Sequence, residues 1–130
     1  MSAVLDGIDA ERAAARPIAG AHTIAELVFH LIDVQRLVLA RCGGEAAPFV
    51  EAESWTDPAL SGEEAWTAAV AALLDGEARI AAAARTFDAA RLDAPVAEGS
   101  DRGVELLLGH LQHDLYHTGQ IALLKKALGG

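Results

Sequence analysis

Apolar residues along the chain recur at three- and four-residue intervals in four segments, the spacing of amphipathic helices. The first, roughly residues 2–16, is short, alanine-rich and weakly patterned, and Pro17 ends it. The second opens on Thr23-Ile24-Ala25-Glu26, a capping-box sequence, and runs to about Arg41 before Gly43-Gly44. Its apolar arc holds Ile24, Leu27, Leu31, Val34, Leu37 and Val38. The third opens on Ser61-Gly62-Glu63-Glu64, a second capping-box sequence, and continues to about Phe87. Trp66, Val70, Leu73, Leu74 and Ile80 form its buried side. The fourth starts near Ser100 or Asp101 and runs to Leu128, with Lys125 and Lys126 placed against its negative end.

The connections constrain how these helices assemble. From Cys42 to about Leu60 the chain carries Pro48, Trp55 and Pro58. Fully extended, about 18 residues reach roughly 60 Å, more than the length of either flanking helix. The second and third helices therefore need not be antiparallel neighbours. Residues 88–99 read as a loop around Pro95. Four helices, the first short, with one long crossover between helices 2 and 3 predict an all-α four-helix bundle. At 130 residues, one domain spanning 1–130 is expected.

The fourth helix carries two apolar strips. Leu108, Leu111, Leu115 and Ala122 lie opposite a stripe of Leu106, His110, His113, His117, Ile121, Leu124 and Leu128. A helix apolar on two sides is either deeply buried or used at an interface, so a homodimer is expected.

Composition narrows the function classes. Hydrophobic residues make up 52% of the chain, with alanine and leucine ahead of valine and isoleucine, which favours helices. The net charge of −9, with scattered Lys and Arg, argues against a nucleic-acid groove. No uncharged apolar run reaches the length of a membrane span, and the acidic start MSAVLDGIDAER lacks a signal-peptide pattern; a cytoplasmic location is expected. The single cysteine, Cys42, excludes an internal disulfide and reads as a small hydrophobe.

The histidine stripe carries the chemistry. His113 and His117 sit on adjacent turns, 40° apart, in the middle of an apolar face. Such a pair suits a shared metal ion, and His30 on the facing helix completes a trio. If the two helices run antiparallel, His30 lies roughly 10 Å below the bundle end, His117 about 16 Å, His113 about 22 Å and His110 about 27 Å. His110 is thus about one turn too far. Asp114 points off the stripe and reads as a solvated or supporting group, while Gln120 is placed to hydrogen-bond near the ion. His22, before the Thr23 cap, reads as a surface residue. A di-iron site needs Glu-x-x-His on two helices, which the chain lacks.

The run Gly109-His110-Leu111-Gln112-His113-Asp114-Leu115-Tyr116-His117-Thr118-Gly119-Gln120-Ile121 resembles the C-terminal signature of the DinB-like (DinB/YfiT) metalloenzyme family. The stretch from Ala21 to Leu31 resembles its other signature, and the likeness continues in order and spacing over nearly the whole chain. The resemblance implies an up-down-down-up bundle holding a divalent ion, zinc or nickel, on His30, His113 and His117. It implies homodimers in many members. Some relatives are transferases or isomerases that use a low-molecular-weight thiol. The first helix is shorter here than the family usually shows, and His110 falls outside the expected trio. Tyr116, Gln120 and His110 are then candidates for supporting or substrate contacts. The expected function is a metal-dependent hydrolase or thiol transferase acting through metal-bound water or thiolate. No Glu adjoins the ligand pair as a general base. The alternative is a non-catalytic metal-binding or stress-associated dimeric module.

Overall fold

The computed structural model describes residues 1–49, 54–55 and 60–129; Pro58, which the sequence places in the long connection, lies outside them. Among the described residues the chain is all-helical: α1 (Ser2–Leu5), α2 (Ala10–Ala14), α3 (Ile24–Cys42), α4 (Glu63–Arg85) and α5 (Gly103–Ala127), with one 3-10 turn at Ala89–Arg91.

The first expected helix is two. Gly7 adopts φ +72°, a left-handed conformation that breaks the run. Asp9 then caps α2 by accepting from the Arg12 amide at 2.8 Å. Helices this short are not stable alone. Burial of Leu5, Ile8 and Ala13 holds them, as do two long-range bonds: Trp66 Nε1 donates to the Ile8 carbonyl at 2.6 Å, and Lys125 Nζ to the Asp6 carbonyl at 2.6 Å. The chain leaves α2 before Pro17, and Arg16 turns back onto the Ala21 carbonyl and the Glu26 carboxylate.

The Thr23 capping box forms as its sequence requires. The Thr23 hydroxyl accepts from the Glu26 amide at 3.0 Å, and the Glu26 carboxylate accepts from the Thr23 amide at 2.7 Å. The Ser61 box does not form. Gly62, at φ +110°, occupies the cap of α4 in place of Ser61, so Glu64 is no longer at the third helical position that the box needs. Glu63, the first residue of α4, accepts from the first amide of α2, Ala10, at 2.8 Å. That bond satisfies an orphan donor of another helix. α5 begins at Gly103 rather than at residue 100 or 101. Ser100 and Asp101 are used in a turn: the Ser100 hydroxyl accepts from the Ala97 amide at 2.8 Å, and the Val96 amide donates to the Asp101 carbonyl at 3.0 Å. Glu105 then closes the helix start on the Arg102 amide (3.0 Å) and guanidinium (2.8 Å).

The pairings set directions. Along α3, His30 faces His113 and Arg41 faces Asp101 at 3.3 Å, so α5 runs antiparallel to α3. Along α4, Trp66 and Leu73 pack with the first half of α3 and Ile80 with Val34 and Val38, so α4 runs parallel to it. A parallel pair needs the long connection between them. The core is divided. One apolar cluster gathers Leu5, Ile24, Leu27, Leu31, Trp66, Leu73, Ile121 and Leu124. A smaller one holds Val34, Val38, Ile80, Val96 and Leu106. Along α5 the histidines lie between them in sequence. Gln35, fully buried, donates to the Leu73 carbonyl at 3.2 Å, and Gly76 makes room for it: a Cβ there would stand 1.9 Å from Gln35 Oε1.

Candidate metal centre

α3 brings His30 to the turn that faces His113 and His117 on α5, and the three rings converge through one atom each. His30 Nε2 lies 2.9 Å from His113 Nε2, and His117 Nε2 lies 3.0 Å from the same atom. All three ligand atoms fall within 4.8 Å of one another. For bonds of about 2.0–2.1 Å to nitrogen, cis ligands on one ion stand roughly 2.9–3.4 Å apart, so the two separations from His113 suit a shared ion.

The supporting hydrogen bonds decide where the ring protons sit. His30 Nδ1 lies 3.3 Å from the Ser54 carbonyl, and His117 Nδ1 lies 2.6 Å from Gln120 Oε1. Both partners only accept, so each Nδ1 carries the proton and donates it. The Nε2 lone pairs of His30 and His117 are left pointing at His113. A single N–H on His113 Nε2 can satisfy one of them, and His113 Nδ1 is itself buried without a hydrogen-bond partner among the described residues. A cation at the centre of the three nitrogens matches every lone pair at once.

Burial sets the charge state. Desolvation, then the neighbouring His117, His30 and His110, push the His113 pKa down to about 4. Desolvation likewise lowers His30 and His117, against the opposing bonds from Ser54 and Gln120. All three are neutral imidazoles at neutral pH, the form that binds metal.

The other singled-out residues take distinct places. Gln120 orients His117 and in turn donates to the Tyr116 hydroxyl at 3.2 Å; the Tyr116 ring stands edge-on to His117, centroids 5.0 Å apart, and is largely exposed. His110 is 8% exposed and stays outside the trio, with its Nε2 3.3 Å from Asp114 Oδ2. Asp114 is not the solvated group its position off the stripe suggests. It is mostly buried, and desolvation, opposed by the nearby α-amino group of Met1, raises its pKa to about 6. The Cys42 thiol is half-buried and raised by burial, with the Arg91 charge opposing, which is not the setting of a reactive thiol.

Two contributors carry no sequence signal. Ser54 and Trp55 lie in the long connection, and their approach to His30 is a tertiary event. Trp55 stacks on His30 with centroids 3.9 Å apart and on His22 at 3.8 Å. His22, read as a surface residue, is exposed but engaged.

No curated protein and no solved structure significantly matches the chain. The family model of the DinB superfamily does match, over residues 1–121. That span includes α1 to α4, the three converging histidines and most of α5, and on it the chain belongs to the DinB superfamily.

Proposed function

We propose that this protein binds one divalent metal ion, zinc or nickel, through His30, His113 and His117, and uses it as a hydrolase or low-molecular-weight-thiol transferase on a small substrate. The reading places the site in a single up-down-down-up four-helix bundle domain in the cytoplasm. One observation carries it: Ser54 and Gln120 accept from the Nδ1 atoms of His30 and His117, aiming two lone pairs at His113 Nε2 from 2.9 and 3.0 Å. A bound ion there supplies Lewis acidity, lowering the pKa of a water or thiol beside it toward neutral. The chain's own residues do the rest. Three neutral imidazoles hold the ion, and Gln120 fixes the His117 tautomer and ring plane. Tyr116, exposed beside His117, is placed for substrate contact.

The test is metal content and its pH dependence in tag-free protein. Protons compete with metal for imidazole, so a ligand with a lowered pKa keeps its metal further into acid. An ordinary histidine is half protonated near pH 6.5, whereas His113 stays neutral down to about 4. Retention of one equivalent of Zn2+ should therefore persist further into acid than at a site of ordinary histidines and fall as the pH approaches 4. Protein that takes up no Zn2+ or Ni2+ at pH 8 would sink the proposal. Loaded protein inert toward esters, amides and thiol-conjugation substrates would leave metal binding and remove the enzyme reading in favour of a non-catalytic module.

The homodimer belongs to the same reading. Leu108, Leu111 and Leu115 stand on the outer face of α5, with Leu115 64% exposed, and form an apolar strip at helical spacing. Pairing of this strip across a two-fold axis would bury it. The solution mass should be twice 13.5 kDa. The double substitution L111K/L115K should return it to the monomer by placing like charges at the seam. A wild-type protein that stays monomeric in concentrated solution would exclude this interface.

A further inference from the structure

The three ligand rings are not held alike. His113 and His117 are four residues apart on one helix, and Gln120 of the same helix fixes the second of them. His30 stands alone on α3, and both contacts that orient it come from outside that helix. The Ser54 carbonyl accepts from its Nδ1 at 3.3 Å, and the Trp55 indole lies parallel to its ring, 3.9 Å away and tilted by 6°. His22 is parallel to the same indole at 3.8 Å and 12°. No ring contact joins His22 to His30, so the indole is held between them. His22 is in turn 3.4 Å from the Glu26 carboxylate of the capping box, which anchors the outer ring to the start of α3. The indole also stands edge-on to His117, centroids 5.9 Å apart.

Two adjacent residues thus fix two independent degrees of freedom of one imidazole. The carbonyl sets the tautomer and the rotation within the ring plane, and the indole face sets the plane itself. A ring that turns about its Cβ–Cγ bond swings Nε2 away from His113, and parallel contact over a flat surface opposes that turn. Hydrogen-bonded partners that orient a ligand imidazole are worth about 10–100-fold in metal affinity when removed, and the indole face acts on the orientation of the same ring.

We infer that Trp55 is a positioning residue of the metal centre: clamped between His22 and His30, it holds the lone α3 ligand in the plane that aims its Nε2 at His113 and His117. The inference rests on the metal reading above and goes beyond it by giving the long connection a function at the site.

The experiment measures Zn2+ affinity by competition with a chromogenic chelator, and the visible spectrum of the Co2+-loaded protein, for wild type, W55A, W55F and H22A. W55A should lose roughly 10–100-fold in affinity and shift the Co2+ bands, because the ligand field changes when His30 reorients. W55F keeps a flat ring and should recover most of the affinity. H22A removes only the outer ring and should fall between. Metal-free unfolding temperatures and helix content, read on the same samples, separate loss of the fold from loss of the ligand plane. W55A with wild-type affinity and an unchanged Co2+ spectrum would overturn the inference and leave the three-histidine site intact. Equal losses in W55A and W55F would also overturn it, since a stacking surface would then not be the cause. Wild-type protein that binds neither ion would remove the metal reading and this inference together.

Discussion

Replacing His113 with Ala is expected to lower divalent-metal affinity by roughly two to four orders of magnitude. Structural zinc sites in small peptides bind with about 10–16 kcal/mol, and one ligand of three accounts for roughly 3–5 kcal/mol of that. His113 is the sharpest of the three tests because its Nε2 is the atom both other rings face, at 2.9 and 3.0 Å. Without it, His30 and His117 keep their bonds to Ser54 and Gln120 but have no common partner. His110→Ala is the matched control. It lies on the same helix, is buried, and has its Nε2 3.3 Å from Asp114 Oδ2 rather than against the trio. Its loss leaves a mostly buried carboxyl without its imidazole, so it should reduce stability while leaving metal affinity within a few-fold of wild type. Chelator competition and thermal unfolding on both variants read the two effects apart. Metal lost from H110A and retained by H113A would reassign the ligands.

Trp66→Ala is expected to be the most damaging single change to the fold. The side chain is 2% exposed and belongs to the larger apolar cluster, and its Nε1 donates to the Ile8 carbonyl at 2.6 Å. Truncation leaves a cavity and removes a hydrogen bond, together about 3–5 kcal/mol. For a chain of this length that is a fall of roughly 10–20 °C in melting temperature. The loss should concentrate at the N-terminus, since Trp66 is what joins α4 to the chain between α1 and α2. Trp66→Phe restores most of the volume but not the donor, and should recover more than half. A W66A protein that melts within a few degrees of wild type would show that the Ile8 segment is held by other contacts.

What could be read from the sequence was what is decided locally. The Thr23 box needs only residues within one turn, and it forms. His113 and His117 share a face by helix periodicity alone, and the depth of His30 along α3 follows from the 1.5 Å rise. His110 separates from the trio for the same reason. The failures are the places where a distant partner wins. The Ser61 box fails because Gly62 takes the cap of α4, while Glu63 at the helix start reaches the Ala10 amide, 53 residues away. Residues 2–16 look like one helix by composition, yet Gly7 and the Asp9 cap divide them. Asp114 looked solvated from its angle on the helix, but its imidazole partner and the nearby chain terminus close over it. Nothing near Ser54 or Trp55 in the sequence announces a contact with His30, because stacking has no spacing rule across a loop.

The separation of the ligands along the chain has a kinetic consequence. His113 and His117 come into register as soon as a turn of α5 forms, an event of about a microsecond or less. His30 is 83 residues away from His113, and its contact must wait until α3 docks on α5. Contacts of such separation carry most of the loop-closure entropy and form late. An ion present during folding would meet a two-histidine helix first and the finished trio last, so rapid mixing with Zn2+ should accelerate the final docking phase far more than the early rise in helicity.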